Sequence, residues 1–422
     1  MTLSFFYIKG DNNVDLIANS SCTSGGNAQD FFKQHPQINP YQYTVVKEQS
    51  FQKAAVTSAH PLASMVGAAI MKDGGNAFDA AIAVQFTLAV VYPGAGNIGG
   101  GGFLLSRNKE GVLMGIDFRE AAPSKAHRDM YLDEKGNPIE GMSKLGASAS
   151  GVPGSVAGMF STLPFAKMTM KQLLQPAYEL AAGGFVITES EARSLNAERK
   201  NFINHSAQAS AFTRKENWKA GDTLYQPELA ATILRIQQKG KAGFYEGETA
   251  DLIVKEMKNS KGVISLEDLK NYNPKFRKPI EFDYRGHHII SFAPPSSGGI
   301  LIAQMMQMIA PYPVSVMGAN TFESVSLMVE AQRRAYADRA EHMGDPDFWK
   351  VPTTTLTSNA YAQDRMKDYQ AGVAGNSKMI QAGVAKESEE TTHFSIIDEA
   401  GNMVAVTTTL NGSYGNKTIV GG

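Results

Sequence analysis

Thr391 heads an alternating segment, Thr392-His393-Phe394-Ser395-Ile396-Ile397, directly after the charged run Lys386-Glu387-Ser388-Glu389-Glu390. A hydroxyl that starts a buried strand just behind a solvated, cleavable connection is what an N-terminal nucleophile needs. Cutting before Thr391 would free an α-amine beside its own hydroxyl, so that one residue supplies nucleophile and general base. A second alternating segment, Met403–Thr409, follows Asp398-Glu399-Ala400-Gly401-Asn402, and the two read as a β-hairpin. With the turn centred on Ala400, Thr409 lies opposite Thr391 and Asn411 falls just beyond the strand end. Two hydroxyls then face each other. Cross-strand threonine pairs are also plain sheet chemistry, so the pattern leaves a structural reading beside the catalytic one.

Other constellations offer less. Of eight histidines only His287 and His288 are close in sequence, and neighbours on a strand point to opposite faces, which argues against a shared metal ion. Ser296 or Ser297 with His60 could be arranged as a triad, but no GxSxG elbow supports it. Pro294-Pro295-Ser296-Ser297-Gly298-Gly299 reads more simply as a turn feeding a helix with a serine cap. The run Gly99-Gly100-Gly101-Gly102 follows a helix and precedes a strand, whereas phosphate loops need strand, glycines and helix in that order. Close backbone packing is the better reading of these glycines.

The elements that must carry these residues are legible. Ala54-Ala55-Val56-Thr57 reads as a strand, His60-Pro61 as a helix entry, residues 62–71 as a helix stopped by Gly74-Gly75, and 76–91 as an alanine-rich buried helix. Helices are expected at 170–182, 189–203, 227–238, 247–258, 300–309 and 321–340, with strands near 278–284 and 287–292. Residues 1–50, rich in Asn, Gln and Ser, read as a poorly ordered leader outside the fold. Lys+Arg 40 against Asp+Glu 41 leaves a net charge of −1 and no footprint for nucleic acid. Hydrophobic residues at 43% supply a core. The single Cys22 excludes an intrachain disulfide framework. No signal peptide is readable, and no apolar run approaches the ~20 residues of a membrane span.

Taken together, Gly74-Gly75-Asn76-Ala77-Phe78-Asp79-Ala80-Ala81, Gly99 to Phe103, Asp117-Phe118-Arg119-Glu120, Gly151-Val152-Pro153-Gly154, Pro294 to Gly299, Arg334-Ala335-Tyr336-Ala337-Asp338-Arg339 and Thr391-Thr392-His393-Phe394-Ser395 resemble γ-glutamyltransferase (γ-glutamyltranspeptidase), of the N-terminal-nucleophile hydrolase superfamily. The resemblance runs from about Ala54 to the last residue. It implies an α+β fold, a four-layer αββα sandwich, here incomplete at the C-terminus. It also implies a precursor that cuts itself between Glu390 and Thr391 into a large subunit, 51–390, and a small one beginning at 391–422. Thr391 would then take the γ-glutamyl group from glutathione or a similar donor and pass it to water, an amino acid or a peptide, with no cofactor. By position in the family motifs, Thr409 orients or activates Thr391, Arg119 grips the substrate α-carboxylate and Asn411 binds its α-amino end. Without the resemblance, Arg119 reads as one side of an ion pair within the Asp117 to Glu120 cluster. His393 shares a strand face with Thr391 and is left as structural.

Family members continue past the position of Gly422 through further strands, pocket residues and a Gly-Gly oxyanion turn. Removing one oxyanion donor costs about 100- to 1000-fold in rate. The 422-residue chain alone is therefore expected to be inactive towards γ-glutamyl-p-nitroanilide and poorly stable. The rival readings are a cephalosporin-type acylase of the same superfamily and an inactive or degenerate binding homologue. Location follows from the resemblance as periplasmic or extracellular.

Overall fold

The computed structural model describes residues 30–377, 380 and 391–422. Its ten strands are β1 (Ala55–Thr57), β2 (Gly101–Arg107), β3 (Leu113–Asp117), β4 (Phe185–Val186), β5 (Thr223–Leu224), β6 (Lys275–Arg277), β7 (Ile280–Tyr284), β8 (His287–Ser291), β9 (Thr391–Ile397) and β10 (Met403–Thr409). Six of them form one antiparallel sheet in the order β1-β9-β10-β2-β3-β6. The hairpin lies at its centre in the register read from the sequence, with Met403 opposite Ile397 and Thr409 opposite Thr391. In the turn the Gly401 N–H donates to the Asp398 carbonyl, and Gly401 takes a φ of 87°, where a side chain would be strained.

Alternation gives the sheet a dry and an open face. Phe394, Ile396, Val404, Val406, Leu104 and Ile116 point inward and are buried. They pack towards α2 (Pro61–Lys72) and α3 (Ala77–Val91), helices that follow α1 (Phe31–Gln34) and lie where the sequence places them. Every residue of α3 is buried. A Cβ on Gly67 of α2 would lie 2.7 Å from Val84 of α3, so the glycine lets the two helices close on each other.

A fully buried helix needs its terminal N–H groups satisfied. Asn76 Oδ1 accepts from the N–H groups of Phe78 (2.8 Å) and Asp79 (3.1 Å), while Asp79 accepts from Asn76 N–H (2.8 Å). The Ala77 N–H donates to Asp398 Oδ2 of the hairpin turn at 3.0 Å. Asp398 also accepts from Asn402 N (2.9 Å) and Nδ2 (2.7 Å). One buried carboxylate thus closes the turn and docks it on α3.

In the middle of the chain α4 (Ser155–Thr162), not read from the sequence, precedes the expected helices, α5 (Met170–Gly183), Glu189–His205, Pro227–Lys239 and Gly247–Asn259. Residues 280–366 add the β7–β8 hairpin and helices Gly298–Ile309 and Phe322–His342 around two smaller apolar clusters.

The leader expected over residues 1–50 needs correction from Asp30 onward; residues 1–29 lie outside the described ones. Phe31 and Ile38 are buried in the main core. Glu179 of α5 accepts from the N–H groups of Asp30, Phe31 and Phe32 at 3.0, 2.8 and 3.2 Å, and the Tyr43 hydroxyl donates to the Val186 carbonyl at 2.7 Å. These anchors lie more than a hundred residues away in sequence, so local composition does not reveal them. No helix among the described residues is long and apolar enough to cross a membrane.

Replacing Asp398 with Ala would leave three buried donors without an acceptor. It is expected to cost about 2–4 kcal/mol, read as a lower urea midpoint; an unchanged midpoint would show that the α3 terminus does not depend on the hairpin turn.

Candidate active site

The hydroxyl pair is the end of a longer row. Thr391 pairs with Thr409, and Thr409 pairs with Gly101 on its other side. Beyond β3 the ladder continues, because Phe118 N–H donates to the Gly102 carbonyl (3.0 Å) and Gly102 N–H to the Phe118 carbonyl (3.3 Å). That register sets Arg119 opposite Gly101. Thr391, Thr409, Gly101 and Arg119 therefore lie across four neighbouring chain segments on one face of the sheet, the open one. At about 4.8 Å per strand the row is roughly 14 Å long between its terminal Cα atoms.

Three of its members are fixed by neighbouring groups. The Thr409 hydroxyl accepts from the Asn411 N–H at 2.8 Å, which bends the chain so that Asn411 adopts a φ of 72°, a conformation Asn tolerates better than most residues. Gly101 is compulsory at its place: a Cβ there would lie 2.7 Å from the Phe118 carbonyl oxygen, 2.8 Å from Arg119 Cα and 2.8 Å from Glu120 N. The Arg119 backbone is tied by Tyr272, whose hydroxyl donates to the Arg119 carbonyl at 2.6 Å.

The local ion pair available to Arg119 does not form. Asp117 accepts instead from Arg277 Nε (3.2 Å) and Nη2 (3.1 Å), and Arg277 also bonds Asp347 at 2.7 and 2.8 Å. Hydrogen bonds from Arg277 and then Lys275 hold the Asp347 carboxyl well below the usual carboxylate range. Arg119 is exposed and lies over the Phe103 ring, 5.7 Å from its centroid. Burial pushes the neighbouring Glu120 carboxyl above its ordinary value, against the pull of the Arg119 charge. A cation on an aromatic shelf, unclaimed by a carboxylate among the described residues, is available to an anionic ligand.

Arg119, Thr409 and Asn411 line one cleft of about 1780 Å³. Thr391 is exposed at the end of β9, opposite Thr409. Glu390 lies outside the described residues. His393 does not reach for Thr391: its Nδ1 lies 2.9 Å from Thr407 Oγ1 and its Nε2 3.0 Å from Ser395 Oγ. The serine triad has no geometry either, since His60 caps α2, accepting from Leu62 N–H at 3.2 Å, and faces Glu191 at 3.2 Å. His288 pairs with Asp283 and Glu281 on the exposed β7–β8 hairpin.

The family model for gamma-glutamyltranspeptidase matches residues 63–422. The chain belongs to this family. The glutathione hydrolase proenzyme of Escherichia coli (strain K12) is 42% identical over 375 residues, which are 88% of this chain and 65% of that protein. The acylase ACY 1 proenzyme of Pseudomonas sp. (strain V22) is 35% identical over 379 residues, 86% of this chain and 66% of that one. The crystal structure of Helicobacter pylori γ-glutamyltranspeptidase matches with a TM-score of 0.78 at 40% identity, covering 81% of this chain and 99% of that chain. The chain thus spans about two thirds of the length of the curated relatives it matches. Its α+β fold is that of N-terminal-nucleophile hydrolases, with the six-stranded sheet packed on α2 and α3.

The close backbone packing read from the Gly99 to Gly102 run is present at Gly100 and Gly101. Tyr272 and Arg277, which also support the row, lie more than 150 residues from their partners Arg119 and Asp117 and carried no local signal. Gly101→Ala is expected to cost about 1–3 kcal/mol by overpacking. Gly99→Ala, whose added Cβ meets nothing within 4 Å, should stay within about 0.5 kcal/mol of the parent. Equal thermal midpoints for the two variants would contradict the close approach.

Proposed function

We propose that this protein is a self-processing γ-glutamyltransferase and glutathione hydrolase that works through a Thr391 acyl-enzyme. The observation that carries the reading is the row itself, with a hydroxyl pair at one end, an available guanidinium at the other and a glycine between them. A γ-glutamyl group measures about 5 Å from its γ-carbonyl carbon to its α-carboxylate carbon. The Arg119 side chain, about 7 Å long when extended, and the short threonine side chain take up the rest of the row, so that the group can lie over Gly101 with its α-carboxylate on the Arg119 fork and its γ-carbonyl at Thr391.

In the precursor, the Thr391 hydroxyl attacks the Glu390 carbonyl carbon. The peptide C–N bond breaks, the acyl group moves to oxygen, and the proton passes to the departing nitrogen. Water hydrolyses the ester, leaving a Glu390 carboxylate and a free α-amine on Thr391. That amine takes the hydroxyl proton in the next attack, on the donor γ-carbonyl. Its conjugate acid gives the proton to the leaving amine as the γ-glutamyl ester forms. Water returns glutamate; an amino acid or peptide amine gives a new γ-glutamyl compound. Thr409 accepts or donates a hydrogen bond at the Thr391 hydroxyl, and Asn411 receives the donor's α-amino end. No cofactor enters these steps. The two polypeptides, ending at Glu390 and starting at Thr391, remain one folded unit, and family membership supports a periplasmic or extracellular site of action.

The acylase relative makes the α-amino group the discriminating feature, because a glutaryl donor carries the carboxylate without it. Expressed from the complete reading frame, the protein should prefer γ-glutamyl-p-nitroanilide to glutaryl-p-nitroanilide; the reverse preference would assign it to the acylases. Thr391→Ala should abolish both precursor cleavage and turnover, and persistence of both would remove Thr391 as the nucleophile. Arg119→Lys, which keeps the charge and loses the fork, should raise KM about 10- to 100-fold with a smaller change in kcat, the value of one charge-assisted hydrogen bond.

A further inference from the structure

Behind the Thr409 to Gly101 part of the row, on its buried side, lies a polar cluster that the proposed chemistry does not use. Asn97, Gln85, Ser155 and Thr408 are all buried. The Asn97 carboxamide has every atom engaged. Its Nδ2 group donates to the Thr409 carbonyl (3.1 Å), Thr408 Oγ1 (3.0 Å) and the Ala95 carbonyl (3.0 Å). Its Oδ1 accepts from Gly100 N–H (3.0 Å) and the Ser155 hydroxyl (2.6 Å).

Thr408 is saturated as well. Its hydroxyl accepts from Gln85 Nε2 (3.1 Å) and Asn97 Nδ2 and donates to the Gly101 carbonyl (3.2 Å). Gln85 Nε2 also donates to the Asn97 carbonyl at 2.9 Å. The Gly100 carbonyl accepts from the N–H groups of Gly154 (2.8 Å) and Ser155 (3.1 Å), which fixes the glycine turn on α4. A Cβ on Gly100 would lie 2.2 Å from the Thr409 carbonyl oxygen, so this turn rests directly against the end of β10.

We propose that Asn97 is the positioning residue that sets the separation between the acyl-transfer end of the row and its carboxylate-binding end. The inference rests on the roles of Thr391 and Arg119 proposed above. One carboxamide grips the Thr409 backbone with its nitrogen and the Gly100 turn with its oxygen, and through Thr408 it reaches the Gly101 carbonyl, beneath Arg119. Asn97 is buried, and both polar atoms of its carboxamide are bonded to protein. It acts by making the two ends one rigid unit, where a displacement of about 1 Å costs on the order of 100-fold in rate. Asparagine suits the position because it presents a donor group and an acceptor in one planar side chain. Aspartate has no donor for the Thr409 carbonyl, and leucine satisfies neither side.

The test compares two donors in the protein expressed from its complete reading frame: γ-glutamyl-p-nitroanilide and 4-aminobutyryl-p-nitroanilide, which lacks only the α-carboxylate. Asn97→Asp keeps the shape and the bonds to Gly100 and Ser155 but turns a carboxylate oxygen towards the Thr409 carbonyl. It should lower kcat for the γ-glutamyl donor about 10- to 100-fold and reduce the kcat/KM ratio between the donors at least tenfold, because the carboxylate anchor no longer delivers the acyl carbon to Thr391. Ser155→Ala, a milder change should Asn97→Asp fail to fold, removes one bond to the same carboxamide and should lower the ratio about threefold. Equal losses on both donors, or an unchanged ratio with unchanged kcat, would overturn the positioning role. Absence of any preference between the donors in the unsubstituted protein would instead overturn the reading of Arg119.

Discussion

The register between β9 and β10 is the constraint on which the rest depends. A strand has a side-chain period of two, so a slip of β10 by one residue against β9 would turn Val404 and Val406 out of the core and bring Thr407 and Thr409 into it. Exposing two such side chains costs about 3–6 kcal/mol, a large part of the net stability of an ordinary domain. The same slip would strip Thr408 of Gln85, Asn97 and the Gly101 carbonyl. Apolar burial and polar satisfaction therefore select one register, and the facing of the two site hydroxyls is its by-product.

The hairpin is also fixed along its length, by polar groups set into an otherwise dry helix. Throughout α3 all side chains are buried, yet it contains Asp79, Gln85 and Thr87. Asp79 satisfies the N–H groups of Asn76, Lys167 and Met168, and Gln85 bonds Thr408. Asp398 reaches the first turn of the helix from the hairpin. Such groups cost several kcal/mol each when buried alone. Paired across elements, they permit only one placement of helix against sheet, where apolar contacts by themselves would tolerate sliding.

Much of this was legible in the sequence because it follows from short-range periodicity. Alternation gave the hairpin and its Thr391 to Thr409 pairing, and apolar spacing gave the helices to within a few residues. What was not legible depends on partners distant in sequence. Arg119 sits two residues from Asp117, yet Asp117 is taken by Arg277, and that leaves the guanidinium on Phe103. The polar N-terminal stretch looked dispensable, but Glu179 supplies the acceptors that seat it on α5. Asn97 carried no signal beyond its place ahead of four glycines, since three of its five side-chain contacts are to Ser155, Thr408 and Thr409, distant in sequence.

The open face explains why the proposed cleavage need not disturb the fold. β9 is paired with β10 from Thr391 to Ile397 and with β1 from Ser395 to Ile397 before any bond is broken. Cutting before Thr391 creates an ammonium group at a residue that is exposed, so no buried charge has to be accommodated. An α-amine has an ordinary pKa of about 7.7–8.0, and one left near solvent keeps a neutral fraction at pH 7 that can take the hydroxyl proton. Had the nucleophile stood on the dry face, the same cut would have buried an ammonium among Phe394 and Val406, at a cost that the hairpin's apolar contacts could not offset. The polarity of the face thus decides both where a self-processing threonine can sit and which way its substrate can approach.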